Sequence, residues 1–370
     1  MIDARFGESQ PFSLGVEEEI IILDPETREQ RPAVDELLTA AEDLDYPGLL
    51  KRELHASVVE LNTGVCESAV DALDRLVKLR KAAAEAASRI GLTIAASGTH
   101  PLSEPESLAV VNKLRYHGFL EYAGVSARRQ GVNGLHVHVG LPDADSCFDA
   151  LEGVLPWLPL VLALSANSPY VAGKETGLKS NRAQVLAELP RSGAPPAFRS
   201  YEEWEAFVER FRKSGVPLGK DYTSFWWDIR PHPRFGTLEI RMPDQPTAVR
   251  RTGSIAALLQ ALCAAVLDGD PRPHAPWERG VYQQNRWAAS RFGTAAELMH
   301  PDEARIAGVL ELLAELVELI GGAAERLGGR ELLHELRANP GEADLQLETG
   351  RSRGLDAVCQ ELVERTLELP

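Results

Sequence analysis

Cysteine is scarce in this sequence, with four in 370 residues, at 66, 147, 263 and 359, and no C-x-x-C spacing among them. That scatter argues against a disulfide framework and against a thiolate zinc site, and it fits a reducing compartment. Positive charge is also in deficit: 39 basic residues face 55 acidic ones, a net of -16 at pH 7. Nucleic acid and anionic membrane are therefore poor candidates for the main partner. Long apolar runs are lacking too. GVLPWLPLVLALSA (153–166) and SIAALLQALCAAVL (254–267) fall short of a membrane span, and Pro156 and Pro159 interrupt the first. No charged-then-apolar leader opens the chain, so the expectation is a cytoplasmic protein. There is no GxxxxGK[ST] loop, no GxGxxG after a strand, no GxSxG elbow and no recognisable cysteine–histidine nucleophile setting. A nucleotide, if one binds, is not held by a glycine loop at a helix N-terminus.

What is present is a core-forming chain, 44% hydrophobic. Strand-like segments fall at 12–23, 53–62, 92–97, 134–141 and 224–242, the last broken by Pro-His-Pro-Arg-Phe-Gly, which reads as a hairpin turn. Helical periodicity covers 68–90, 147–165, 201–215, 250–267, 303–320 and 355–368. Strands mixed with helices, followed by a helical block, predict an α+β fold: an antiparallel or mixed sheet backed by helices. With no repeat and no long linker, one domain over 1–370 is expected, strand-rich over about 10–247 and helical over about 248–370. Residues 190–200 read as a surface loop. The helices after 250 offer a surface for a homodimer.

The strand at 12–23 poses a problem, because Glu17, Glu18 and Glu19 stand in its middle. Alternation puts Glu17 and Glu19 on one face with Ile21 and Leu23, and Val16, Glu18, Ile20 and Ile22 on the other. The pattern recurs. GLHVHVG sets His136 and His138 opposite Leu135, Val137 and Val139, and GTLEIRM sets Glu239 and Arg241 opposite Leu238, Ile240 and Met242. ELHASVVEL carries Glu53 and Glu60 among apolar residues, although seven positions apart they would point to opposite faces of an unbroken strand. A bulge or bend would reconcile them.

Two carboxylates 4 Å apart repel by about 4 kcal/mol at an effective dielectric of 20. Gathered into one site, these acids would protonate or separate unless cations joined them. Carboxylates with histidine suit Mg2+ or Mn2+ better than structural zinc, and magnesium held by carboxylates commonly shares its coordination with nucleotide phosphates. Arg241 is placed to reach a phosphoryl oxygen beside such a metal. His100 and His117 are further candidates for lining the site, and each is also readable as structural.

FSLGVEEE, ELHASVVELNTGV, SGTHP, GLHVHVG, LSANSP and WDIRPHPRFGTLEIRMPD, in that order over residues 12 to 244, resemble the carboxylate–amine ligases of the type 2 glutamate–cysteine ligase family. The resemblance implies a glutamine synthetase-like catalytic fold, an antiparallel sheet curved into a funnel. It also implies an ATP-dependent reaction in which a carboxylate, typically the γ-carboxylate of glutamate, becomes an acyl phosphate and is joined to an amine, cysteine being the family default. On this resemblance the metal set is Glu17, Glu19, Glu53, Glu60, His136 and Glu239, and the seven-residue spacing of Glu53 and Glu60 is part of the family pattern. Arg182 and Arg241 are the catalytic arginines on the phosphate or carboxylate; with Glu17 and Glu239 they form the nucleotide site. His138 is less firmly matched.

Asp228 and Arg230 are substrate-side groups or braces of the hairpin, and Trp226 and Trp227 are core residues or an adenine platform. Glu18, facing away, is expected to tolerate substitution, and Glu239→Gln is expected to abolish turnover with the fold intact. The alternatives are a phosphokinase on the same sheet and a protein that only binds nucleotide. The amine acceptor is left open, with its selectivity expected in loops such as 102–132 and 172–200.

Overall fold

The computed structural model describes residues 2–269, 277–338 and 341–369. The parts of the expected helical block at 270–276, 339–340 and 370 lie outside the described residues. The central sheet has seven strands: β1 (Leu14–Leu23), β2 (Leu49–Arg52), β3 (Val58–Asn62), β4 (Thr93–Ala95), β5 (Leu135–Gly140), β6 (Ile229–His232) and β7 (Thr237–Ile240). Its order is β6-β7-β5-β1-β3-β2, every pair is antiparallel, and β4 adds to β1. The ten residues of β1 serve two neighbours, pairing β5 along Leu14–Glu18 and β4 along Ile21–Leu23. The sheet is open among the described residues, and helices back it, as the α+β pattern requires.

One face of the sheet is apolar. Val16, Leu135, Val137, Val139, Leu238 and Ile240 are all buried in a single core. Packed into that core are α1 (Ala69–Arg89), α3 (Ala144–Val154), α4 (Leu158–Ser165) and α7 (Val249–Asp268). Two further helices flank the other face, α2 (Leu114–Ala123) and α5 (Asn181–Ala187), and α6 (Tyr201–Ser214) lies on an aromatic cluster with Trp227.

Three expectations change. The segment 53–62 is not one strand: β2 lies before it, Glu53–Ser57 form the connection, and only Val58–Asn62 are extended. The apolar run at 147–165 is two helices, α3 and α4, joined by a 3-10 turn at Leu155–Trp157, where Pro156 and Pro159 remove backbone donors. Counted together as Ala144–Ser165 they reach 22 residues, long enough to cross a membrane by composition, as is α7 with 20; both are mostly buried within the fold. The block after 248 is helical except for an antiparallel hairpin pairing Glu297–Met299 with Ile306–Gly308.

Candidate active site

The other face of the sheet carries the acids, and register sets them side by side. Glu17 pairs with Asn62 on β3 and with His136 on β5; Glu19 pairs with Glu60; Glu239 pairs with His138 and with Arg230. Cross-strand partners stand only about 5 Å apart at Cβ, so three rows of polar side chains cover the sheet's centre. Above them lies a cleft of about 660 Å³ lined by Glu17, Glu19, Glu53, Glu60, His136, His138, Arg182, Arg230, Glu239 and Arg241. All eight residues expected from sequence are thus brought to one cavity. The turn at 53–57 is what lets Glu53 join Glu60.

Each acid is held differently. Glu17 accepts from Asn62 Nδ2 at 2.6 Å and lies 3.4 Å from His136 Nδ1. Burial works against its charge, but His136 and His138 outweigh it and hold the carboxyl down at about 2. Glu19 accepts from the Gly134 amide at 2.5 Å, yet burial and repulsion from Glu53 push its carboxyl up to about 7. Glu60 has Lys51 at 3.2 Å, and burial with repulsion from Glu17 and Glu53 raises it to about 8. Glu53 accepts from Tyr116 Oη at 3.0 Å and is raised by burial. Glu239, like Glu17, is lowered: despite burial, Arg230 and Arg241 hold it well below the usual range. Arg230 clasps it with two bonds of 2.6 and 3.1 Å. Burial and Arg241 bring His136 down to about 4, so its ring is a neutral nitrogen donor at pH 7.

Arg182 comes from α5 and reaches under the sheet edge, donating to the carbonyls of Met242 (2.9 Å) and Arg241 (3.0 Å), while its buried Nε has no partner. A knot of polar groups anchors it. Asp244 accepts from Ser168 Oγ (2.6 Å), Ser180 Oγ (2.8 Å) and the Asn167 amide (2.9 Å), and Ser180 caps α5. Gly98 of SGTHP allows this approach, since a Cβ there would sit 2.9 Å from the Asp244 carboxylate. Motifs LSANSP, SGTHP and MPD therefore position an arginine.

Other candidates fall elsewhere. His100 is buried away from the cleft, bonded to Ser103, and His117 is exposed beside Asn112. Asp228 braces the hairpin by bonding Tyr282 (2.7 Å) and Arg286 (2.7 Å), whereas Arg230 lines the cleft. Trp227 is core; Trp226 lines the cleft.

Glu18 does not have the tolerant position expected of it. It is fully buried on the apolar face, where it accepts from Arg80, Thr252 Oγ1 (2.6 Å) and Gln245 Nε2 (2.9 Å). The expectation that Glu239→Gln leaves the fold intact also meets an obstacle, because that change takes the counter-charge from the buried Arg230 and the half-buried Arg241. Tyr116, Arg115 and Asn62 were missed; the first two lie in a stretch read as loop, although LRYHGFLEYA forms the helix α2.

The profile of glutamate–cysteine ligase family 2 (GCS2) matches residues 13–352. A protein of Rubrobacter xylanophilus, provisionally named glutamate–cysteine ligase 2-3, is 37% identical over 99% of this chain and 100% of its own. One from Herpetosiphon aurantiacus, provisionally named glutamate–cysteine ligase 2, is 34% identical over 97% and 94%. Among solved structures, the glutamate–cysteine ligase of Francisella tularensis in complex with AMP superposes with a TM-score of 0.70 at 15% identity, over 98% of this chain and 91% of that one. A bifunctional glutathione synthetase from Pasteurella multocida gives 0.69 at 15%, over 96% and 53%. Fold and family together define an ATP-dependent carboxylate–amine ligase. The chain belongs to glutamate–cysteine ligase family 2.

Proposed function

We propose that the cleft binds ATP with Mg2+ or Mn2+ and phosphorylates a glutamate-like carboxylate, with Glu17, Glu19, Glu53, Glu60, His136 and Glu239 as the metal-binding set. The observation that carries this reading is the register that aligns Glu60, Glu19, Glu17, His136 and Glu239 on one face of the sheet. The donor chemistry fits a hard divalent cation: carboxylate oxygens with one neutral imidazole nitrogen. Glu19 and Glu60 are raised by burial and by each other's neighbours, a charge deficit that a cation relieves. Among the described residues, no three such side chains already converge on a point. They are turned instead onto Asn62, Gly134, Lys51, Tyr116 and the arginines. Bound divalent ions would supply neutralisation of the transferring phosphoryl charge.

The chain's own groups do the rest. Arg241, held by Glu239, and Arg182, with its unpaired Nε, are the cations for phosphate or carboxylate oxygens. The γ-phosphoryl group passes to a carboxylate oxygen and ADP leaves; the amine then attacks the acyl carbon, phosphate leaves and the nitrogen loses a proton. The cleft walls keep water from the acyl phosphate. The net charge of -16 supports small-molecule partners rather than nucleic acid or an anionic membrane. Four free, buried cysteines support a reducing, cytoplasmic setting. A homodimer is part of this reading, and sedimentation would test it.

The test is ADP release in the presence of glutamate, with and without amines, and mass spectrometry of the product. ADP that depends on the amine, with an amide product, is expected. Amine-independent ADP with a stable phosphorylated product would replace the ligase by a kinase. Glu60→Gln should lose at least a hundredfold in turnover with the fold intact, since its partner Lys51 is substantially exposed.

A further inference from the structure

Beyond its polar floor the cleft has an apolar mouth that the phosphoryl chemistry does not use. Two helices form its walls, and both change character in the same direction. On α5 and just past its end, Arg182, Leu186 and Leu189 follow one another at spacings of four and three, so they share a face. On α2, Arg115 and Tyr116 stand next to Glu53, and Phe119 follows one turn later. Leu218 and Trp226 close the space between them. The Phe119 and Trp226 rings touch, with centroids 5.2 Å apart. Behind Trp226 the Arg191 guanidinium lies 5.5 Å from its ring and within 5.8 Å of Tyr122, Phe211 and Phe225, so the indole is backed by a cation seated among aromatics.

We propose that this mouth, formed by Phe119, Leu186, Leu189, Leu218 and Trp226, receives the side chain of the amine acceptor, and that the acceptor class is amines with a large apolar side chain, aromatic ones fitting best. This rests on the ligase reading above. The argument is one of reach. One helical turn separates Arg182 from Leu186, and two separate it from Leu189, or about 5 to 10 Å along the helix. An attacking amine must lie against the acyl carbon, so its side chain begins at that depth. An adenine is separated from the transferred phosphoryl group by two phosphates and a ribose, so it lies farther from the acyl carbon than an acceptor's side chain does. The same wall also carries Asp221, Thr223 and Ser224, of which Asp221 is already engaged by Arg234 and by the Thr223 amide. A small polar acceptor would leave the half-buried Phe119, Leu186, Leu218 and Trp226 facing water, whereas a ring or branched chain would gain about 25 cal/mol for each Å² it covers.

The experiment measures ADP release and amide formation with glutamate and a panel of α-amino acids that differ only in side chain: phenylalanine, tyrosine, leucine, cysteine, serine and lysine. Phenylalanine, tyrosine or leucine should exceed serine and lysine at least tenfold in kcat/KM, and should exceed cysteine. Phe119→Ala and, on the opposite wall, Leu186→Asn should each raise the KM for the apolar acceptor at least tenfold and leave the KM for ATP within twofold. Circular dichroism of each variant checks that it is folded. Preference for cysteine or a polar amine overturns the proposal while leaving the ligase reading standing. So does a rise in the ATP KM with the acceptor's unchanged, which would assign the mouth to adenine. Absence of ADP formation with every amine removes the ligase reading and this proposal together.

Discussion

Glu18 and Arg80 form a bidentate ion pair with both side chains fully buried, Nε to Oε2 at 2.7 Å and Nη2 to Oε1 at 2.6 Å. The pair ties the middle of β1 to the middle of α1. Arg80 also donates to the carbonyls of Thr247 and Pro246, where the chain leaves the sheet to begin α7. A charge on the apolar face of this strand is therefore a cross-brace among three elements, and the acids of the cleft stand on its reverse.

Removing one member of a buried pair strands the other, at a cost of about 3–5 kcal/mol. Glu18→Gln and Arg80→Met should each lower the denaturation midpoint clearly. The double replacement Glu18→Leu with Arg80→Met should recover part of that loss. Equal midpoints for Glu18→Gln and the parent protein would refute the brace.

The Asp244 knot makes a different claim, that a residue outside the cleft positions one inside it. Asp244→Asn keeps the size but replaces an acceptor of three bonds by a group with donors of its own. Arg182 loses its nearby counter-charge. The expected result is a turnover reduced about tenfold or more, on the scale of a lost charge-assisted bond of about 1.5–3 kcal/mol, with metal binding by titration little changed. If metal affinity falls as much as turnover, the knot supports the whole floor and not Arg182 in particular.

The site was legible where alternation alone decides a side chain's face. The apolar and acidic faces of β1, β5 and β7 follow from period two, and Pro-His-Pro-Arg-Phe-Gly marks the β6–β7 turn. What escaped depends on chain reversal or on a distant partner. Leu49–Arg52 is short and half exposed, with no alternation to announce β2, so Glu53 seemed to belong to one strand with Glu60. Glu18, set on the face of Val16, Ile20 and Ile22, looked replaceable because its partner lies 62 residues away, in α1. Arg80, lodged among Leu76, Val77, Leu79 and Ala83, was the available signal: an arginine on a buried helix stripe requires an acid. Tyr116 and Arg115 were hidden because α2 has little apolar periodicity, only Tyr116 being buried on it.

Gly134 gives a steric prediction. A Cβ there would lie 2.0 Å from Arg182 Nη2, and that guanidinium, pinned by two carbonyls, has nowhere to retreat. The Gly134 amide also donates to Glu19. Gly134→Ala should therefore disturb Arg182 and Glu19 at once, reducing kcat at least a hundredfold while far-ultraviolet circular dichroism is retained. Parent-like kcat would show that Arg182 is not needed where the structure puts it.

The raised carboxyls give a prediction for the protein without metal. Burial and like-charge repulsion lift Glu60 from 4.5 to about 8 and Glu19 from 4.5 to about 7. An acid raised in the folded state favours folding while protonated, so its contribution is complete below pH 4.5 and is lost as pH climbs through 7 to 8, at about 1.4 kcal/mol per pKa unit. His136, His100 and His232, each lowered to about 4, act in the opposite sense, their contribution being complete above pH 6.5 and lost as pH falls toward 4. Between pH 6.5 and 8 the acids act without that opposition, and the thermal midpoint of the metal-free protein should fall across this window. Glu60→Gln removes one titrating group and should flatten the fall. Excess Mg2+ should abolish it in the parent, because a bound cation stabilises the ionised acids, and should do so less in Glu60→Gln. Differential scanning fluorimetry at pH 6.5, 7.25 and 8, with chelator and with Mg2+, reads all four slopes. Parallel slopes for parent and variant under chelator would mean that Glu60 is ionised in the empty cleft, and the charge deficit attributed to it would be wrong.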